Sequence, residues 1–211
     1  MYEPLHFRVE DVPALQAFIG RRTLGLLILS REGVLTADPA PFVLDPGEGP
    51  FGRLRAHVAR ANPLWRTADG AEALVVFQGP DHYVSPGWYP SKAETGRVVP
   101  TWNYVMAQAR GRLTVRDDRD WIAAQARALT DARERGVSPA WSVDDAPAAF
   151  MESQMAAVVG IEIMISDLRG KFKLSQNRSA ADREGVATGL AASGGATEML
   201  AFMTPQEGSG A

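Results

Sequence analysis

The segment from Gly170 to Arg178 carries the residue types with which proteins bind anions. Its sequence, Gly-Lys-Phe-Lys-Leu-Ser-Gln-Asn-Arg, follows a run, 160–166, in which isoleucine alternates with other residues. This period of two is typical of a half-buried strand. If the extended conformation continues, Lys171, Lys173 and Ser175 lie on one face, and Phe172, Leu174 and Gln176 lie on the other. The sequence therefore predicts a phosphate or carboxylate site here.

A second polar group lies between residues 54 and 65. In strand register His57 shares a face with Arg55, while Arg60 and Asn62 lie near a chain reversal where side chains converge. The planar guanidinium of Arg60 is suited to bidentate phosphate binding. The alternative is a surface arginine and a hydrogen-bonded core histidine, which is the more common role of single polar residues.

A third group combines aromatic and amide side chains. Trp102, Tyr104 and Met106 are predicted on one face of a strand, with Asn103 on the other face among apolar residues. A buried asparagine must find hydrogen-bond partners in the protein or in a polar ligand. The aromatic, proline-rich stretch 78–90 predicts either a wall for a planar ligand or a cap on the end of a barrel.

The composition excludes several classes of site. There are no cysteines, so disulfides and thiolate chemistry are absent, and His6, His57 and His82 lack the spacing of metal ligands. We therefore predict no metal site. No hydrolase or nucleotide-binding motif occurs, so the catalytic residues are unknown.

The formal net charge of −3 provides no overall attraction for nucleic acid. The N-terminus does not resemble a signal peptide and no run spans a bilayer, so we expect a cytoplasmic protein without membrane contact.

The elements that must position these groups are mostly strands. Predicted strands dominate the first half, and helices follow late, at about 117–136 and 147–158. Without regular alternation of strand and helix, the pattern favours a mainly β (α+β) fold, an antiparallel barrel with peripheral helices. We predict one domain over residues 1–193 and a C-terminal tail, 194–211, that is mobile at its end.

The order of these motifs resembles the PaiB family, the FMN-binding-type negative transcriptional regulators. The matching residues are 1–4 (MYEP) with Phe7, 41–42 (PF), 57–63 (HVARANP), 76–80 (VFQGP), 83–86 (YVSP) with 88–89 (WY), 99–104 (VPTWNY), 159–162 (VGIE) and 170–177 (GKFKLSQN). The resemblance departs at the early loop, where members often carry a Ser/Thr-His pair before Pro-Phe. Here Asp38-Pro39-Ala40 precedes Pro41-Phe42.

The resemblance implies a flavin-reductase-like split β-barrel, related to pyridoxamine-phosphate oxidases, that holds FMN at a homodimer interface. FMN requires cations at its phosphate, donors at its ring carbonyls and an apolar wall. The candidate cofactor-binding residues are Arg60, Lys171, Lys173 and Ser175 for the phosphate, Asn62, Asn103, Gln176 and Asn177 for the ring, Trp102 or Tyr104 for the wall, and His57. We expect regulation of transcription to be indirect.

Three alternatives remain open from the sequence. A bound flavin would allow an oxidoreductase activity, although no residue marks a substrate. Direct repression through DNA binding is a second reading, and no helix-turn-helix signature supports it. Haem binding, with His57 or His82 as axial ligand, is the third.

Overall fold

The computed structural model describes residues 1–31, 33–194 and 196–204. The strands are β1 (Arg8–Val9), β2 (Leu24–Arg31), β3 (Val34–Pro41), β4 (Val43–Asp45), β5 (Arg53–Ala59), β6 (Glu72–Val84), β7 (Thr101–Arg116) and β8 (Val158–Lys173). They form one eight-stranded sheet in the order β3-β2-β6-β7-β8-β5-β4, and β1 pairs with β8. The predicted antiparallel, mainly β class is confirmed.

Along the chain, the helices lie between these strands and after the last one. They are α1 (Val12–Arg21), α2 (Trp65–Ala68), α3 (Ser91–Thr95), α4 (Arg119–Glu134), α5 (Ala148–Ala156), α6 (Ala180–Ser193) and α7 (Thr197–Met203). The helices predicted at about 117–136 and 147–158 correspond to α4 and α5. Within the described ranges, none of the helices combines the length and apolar character needed to cross a bilayer.

The chain divides into two compact units. Unit 1 comprises Met1–Glu10, Gln78–Met106 and the described residues from Gly170 onward, and unit 2 comprises Asp11–Phe77 and Ala107–Arg169. Strands β6, β7 and β8 therefore contribute residues to both units. The single domain expected for residues 1–193 stays a prediction.

The first helix forms as its sequence predicts. The Asp11 carboxylate accepts a hydrogen bond from the Ala14 backbone N–H at 3.2 Å and so caps α1. The buried side of this helix consists of Leu15, Phe18 and Ile19. Gly20 is a residue type that often follows the end of a helix, but this helix continues through it and ends at Arg21.

Two strands continue through prolines. The prolines and glycines of residues 38–52 predict a loop, and this is wrong in part, because β3 runs to Pro41 and pairs with β2. This strand lies at an edge of the sheet, where a proline without an N–H is tolerated. Strand β6 likewise passes Pro80 and ends at Val84, although its pairing with β2 stops at Val76.

Gly111 suggests a bend in the sequence, but strand β7 is one continuous element and no bend occurs there. A Cβ atom at this position would lie 2.0 Å from the Met164 backbone oxygen. The glycine is therefore needed for the close approach of two strands, not for a turn.

The C-terminal region contains two helices that the sequence analysis does not predict. The predicted tail begins at residue 194, yet α7 occupies Thr197–Met203, and α6 precedes it. Both helices contribute to a buried cluster in unit 1, formed by Val84, Tyr89, Val186, Leu190, Ala196 and Met199. Residues 208–211 and Gly195, which we also expected to be mobile, lie outside the described residues.

Candidate functional site

The alternation of side chains on β7 sets the geometry of the candidate site in unit 1. Asn103 and Val105 are fully buried, whereas Trp102 is 53% exposed and Tyr104 is partly exposed. This confirms the predicted division of the strand into an aromatic face and a face that carries the asparagine. Neighbouring side chains of one strand thus serve two different sides of the sheet.

Asn103 is joined to Ser175 inside unit 1. The Ser175 Oγ lies 3.1 Å from both Nδ2 and Oδ1 of Asn103, so the hydroxyl accepts one hydrogen bond and donates another. The Met203 sulfur lies 3.8 Å from the same amide nitrogen. The partners of this buried amide are therefore protein groups, which satisfies the requirement that the sequence raised.

A tight turn follows β8 and presents the end of the basic segment. The strand ends at Lys173, and Ser175 has a left-handed φ of 63°. The extended run expected to place Ser175 on the lysine face is therefore wrong. Gln176 stabilises the turn, because its Oε1 accepts from the Leu174 N–H at 2.6 Å and its Nε2 donates to the Phe172 carbonyl at 2.5 Å.

Three cations, Lys171, Lys173 and Arg178, lie near this turn. Lys171 Nζ is 5.3 Å from the centroid of the Tyr104 ring, and the Arg178 guanidinium carbon is 4.8 Å from that of Tyr89. Lys173 Nζ donates to Thr101 Oγ1 and to the Trp102 carbonyl, each at 2.5 Å. Among the described residues, no carboxylate lies within ion-pair distance of any of the three.

The environment of Lys173 lowers the pKa of its ammonium group. Burial lowers the pKa of its ammonium below the ordinary value, and the charges of Lys171 and Arg178 lower the pKa further. An anion bound nearby would oppose both effects. The cluster therefore has the electrostatics of an anion-binding site.

Two cavities adjoin this region, and they share no lining residue. The first, which we call the aromatic groove, has a volume of about 280 Å³ and is lined by Gln78, Asp81, Trp102, Tyr104, Val105 and Met106. The second, which we call the basic pocket, has a volume of about 60 Å³ and is lined by Tyr89, Thr101, Asn103, Lys173, Ser175, Asn177 and Arg178. The groove is close to the lower size limit of ligand sites, roughly 300 Å³. The pocket is about the size of two water molecules.

Tyr89 is a buried residue with an unpaired polar atom. Its side chain is only 2% exposed, and its hydroxyl has no hydrogen-bond partner among the described residues. A buried hydroxyl without a partner costs about 1–3 kcal/mol. Tyr89 lines the basic pocket, so a bound ligand is one way in which this cost could be offset.

The C-terminal helices hold the aromatic stretch that carries Tyr89. The Asp182 carboxylate accepts from the Ser91 N–H at 3.1 Å and from its hydroxyl at 2.9 Å. A Cβ atom at Gly189 would lie 2.3 Å from the ring of Trp88, so this position of α6 must be glycine. The aromatic stretch, expected from sequence to form a wall or a cap, is thus packed against α6.

The candidates in the segment 57–62 all lie in unit 2 and bind other groups of that unit. His57 Nδ1 lies 2.6 Å from the Gln125 side-chain oxygen. The Arg60 guanidinium binds both carboxylate oxygens of Asp117, at 3.0 and 2.5 Å, and donates to two backbone carbonyls. The phosphate role of Arg60 and the cofactor role of His57 stay predictions.

Asn62 contacts Asp38 in β3, at the position where this chain departs from the family pattern. Its Nδ2 donates to the Asp38 carboxylate at 3.1 Å, and its Oδ1 accepts from the Leu64 N–H. Asp38 thus orients the asparagine. The role of Asn62 toward a flavin ring stays a prediction.

The other histidine considered as an axial ligand, His82, lies in unit 1. Its Nδ1 is 2.7 Å from the Tyr83 carbonyl, and its Nε2 is 3.4 Å from the Ser193 hydroxyl. Both ring nitrogens therefore have protein neighbours.

The structure adds residues that the sequence reasoning did not select. Tyr89, Thr101 and Arg178 line the basic pocket beside the predicted Asn103, Lys173, Ser175 and Asn177. Arg178 is the last residue of the predicted segment 170–178 and could have been selected as a candidate on charge alone. The unpaired hydroxyl of Tyr89 has no signal in the sequence, because burial and partners are tertiary properties.

Comparison with known proteins identifies the family. The model of the family described as "Putative FMN-binding domain" matches residues 1–167. An uncharacterized protein of Aspergillus fumigatus is 34% identical, with 85% of this chain and 86% of the relative covered. The "Protease synthase and sporulation protein PAI 2" of Bacillus subtilis is 28% identical, with 86% and 85% covered.

Solved structures share the fold at low identity. The FAD and heme binding protein from Mycobacterium smegmatis aligns with a TM-score of 0.56 at 18% identity, covering 89% of this chain and 80% of that one. The flavocytochrome Anf3 from Azotobacter vinelandii aligns with a TM-score of 0.58 at 16% identity, covering 79% and 69%. These likenesses support the predicted split-barrel fold. With the family model matching most of its length, the chain belongs to the PaiB family of FMN-binding-type proteins.

Proposed function

We propose that this protein binds FMN with the isoalloxazine ring against the aromatic groove and the phosphate near Lys171. The observation that carries the proposal is the position of Lys171, whose ammonium lies 5.3 Å from the centroid of the Tyr104 ring and 5.5 Å from that of Tyr2. A lysine that has no carboxylate partner among the described residues and lies next to an apolar wall matches the two ends of FMN.

The lining of the groove is suited to a planar ring. Trp102 lines it, is 53% exposed, and meets the ring of Tyr83 outside the lining edge to face at 6.0 Å. Gln78 offers an amide donor and acceptor, while the Asp81 carboxylate would repel a phosphate. We therefore assign the ring to the groove and the phosphate to Lys171.

The exposure of the aromatic face also supports a homodimer with the flavin at its interface. The groove is small for a complete flavin site, and large exposed aromatic residues mark surfaces that are covered by a partner. A second copy of the chain would complete the wall. Bound flavin would supply redox chemistry, and the residues described here would bind and orient it.

The biological role that we propose is indirect negative regulation of transcription. The name of the Bacillus relative refers to protease synthesis and sporulation, which are regulated processes. With a formal net charge of −3, this chain is not suited to general DNA attraction. Direct DNA binding, haem binding and a cytoplasmic location stay predictions of the sequence.

The test is a fluorescence titration of the purified protein with FMN and with riboflavin, after its visible absorption spectrum is recorded. We expect Trp102→Ala to weaken the binding of both flavins roughly tenfold or more, because ring stacking is lost. Lys171→Gln should weaken the binding of FMN and leave that of riboflavin unchanged, because only FMN carries the phosphate. Lys92→Gln, at an exposed position of α3, is the matched control.

Light scattering on the same samples gives the oligomeric state. A dimer in the wild type and a monomer in Trp102→Glu are expected. The proposal would be contradicted if the wild type bound neither flavin, or if Trp102→Ala bound both flavins as tightly as the wild type does.

A further inference from the structure

We infer that the basic pocket is a binding site for a phosphate group, separate from the aromatic groove. The inference starts from Tyr89, Lys173 and Arg178, which line one small cavity in unit 1. The proposed flavin function does not use Tyr89 or Arg178, so this site goes beyond it.

The unpaired hydroxyl of Tyr89 is the observation that points to a ligand. Only 2% of the residue is exposed, and its hydroxyl has no hydrogen-bond partner among the described residues. Nearly all buried polar groups in proteins have a partner. A ligand oxygen in the pocket would supply the missing acceptor.

The charges around the pocket select an anion. Lys173 and Arg178 both line it, and within the described chain neither has a carboxylate at ion-pair distance. The carboxylate of Asp182, on which the charge of Arg178 acts, already accepts two hydrogen bonds from Ser91. A guanidinium with an ammonium and a hydroxyl is a donor set suited to a tetrahedral, doubly charged oxyanion.

The remaining lining residues add donors and fix the size. Asn177 has a side-chain amide with no hydrogen-bond partner in the part of the chain described, and it lines the same pocket. A volume of about 60 Å³ excludes a flavin ring and admits a group of phosphate size. Asn103 and Ser175 bind each other, so they serve as the wall of the pocket.

Strand β7 lines the two cavities mainly from opposite sides. The pocket takes Thr101 and Asn103 from this strand, whereas the groove takes Trp102, Tyr104 and Met106, together with Val105 from the side of Asn103. Successive side chains of a strand point to opposite faces. A ring in the groove therefore does not occupy the pocket.

The test uses inorganic phosphate as the probe, with thermal unfolding and titration calorimetry as readouts and sodium chloride at matched ionic strength as reference. We expect phosphate to raise the melting temperature of the wild type beyond the salt reference. Tyr89→Phe should weaken phosphate binding roughly 10- to 100-fold, the range for one hydrogen bond to a charged group. Arg178→Gln should weaken it at least as much.

Tyr89→Phe separates ligand binding from a structural role. Since the hydroxyl has no partner in the described part of the chain, the variant without phosphate should melt at or above the wild-type temperature. Tyr83→Phe, at a tyrosine 43% exposed, is the matched control and should bind phosphate like the wild type. A phosphate effect no greater than that of salt, or equal phosphate affinities in Tyr89→Phe and Tyr83→Phe, would overturn the inference.

Repeating the phosphate titration with FMN or riboflavin present identifies the source of the phosphate group. If saturating FMN abolishes the phosphate effect and riboflavin does not, the pocket holds the phosphate of FMN. If neither flavin changes the effect, the ligand is a free anion. A protein that binds phosphate and no flavin would refute the proposed function and leave this inference standing.

Discussion

The hydrogen-bonded pair Asn103 and Ser175 gives a stability prediction with an internal control. The side chains are 0% and 4% exposed, and two interactions of 3.1 Å join them. Asn103→Leu leaves the Ser175 hydroxyl buried without its partner, and Ser175→Ala does the same to the amide of Asn103. Each single change should reduce the free energy of unfolding by about 1–3 kcal/mol.

The double variant Asn103→Leu/Ser175→Ala should behave differently. Replacing both partners by apolar groups leaves no unsatisfied atom, so its loss should be below about 1 kcal/mol. The two changes are therefore strongly coupled, by about 1 kcal/mol or more. For a chain of this size, 1 kcal/mol corresponds to roughly 2–4 °C in melting temperature.

The assay is urea unfolding at equilibrium for the wild type, both single variants and the double variant. Ser175→Gly adds a second comparison, because Ser175 has a φ of 63° and glycine removes the cost of the left-handed conformation. We expect this variant to be more stable than Ser175→Ala by about 1 kcal/mol. If the double variant loses the sum of the two single losses, the pair is not a coupled unit and the reasoning is refuted.

Two further predictions concern Lys173 and the glycines of the helices. Because burial lowers the folded-state pKa of Lys173, the unfolded state binds more protons, so stability should rise with pH as this lysine loses its proton, up to its unfolded pKa of about 10.4. The difference in urea midpoint between the wild type and Lys173→Gln should increase in favour of the wild type between neutral and alkaline pH, and a flat difference would count against it. Gly189→Ala should destabilise by about 1–3 kcal/mol, because a Cβ would lie 2.3 Å from the Trp88 ring. Its control, Gly20→Ala on α1 with no atom within 4 Å of the Cβ, should stabilise by about 0.5–1 kcal/mol, and thermal unfolding that gave both variants the same sign would contradict this.

Local patterns in the sequence predicted the elements and the family. The cap at Asp11 and the burial alternation around Asn103 depend on neighbouring residues, so a reading of the chain can find them. The predictions failed where a distant strand or helix decides. Gly111 accommodates β8 rather than a bend, and the C-terminal helices pack on a cluster that includes Val84 and Tyr89.

For the candidate site, the sequence determined which residue types are available, and the tertiary structure decided what they do. The cations at 171, 173 and 178 and the aromatic face of β7 follow from the order of residues alone. That Asn103 meets Ser175, 72 residues away, and that Arg60 meets Asp117, 57 residues away, follows only from the folded chain. The unpaired hydroxyl of Tyr89 likewise arises only when burial removes it from water. The physical reason is that hydrogen bonding and desolvation depend on neighbours in space, which a pattern of period two does not specify.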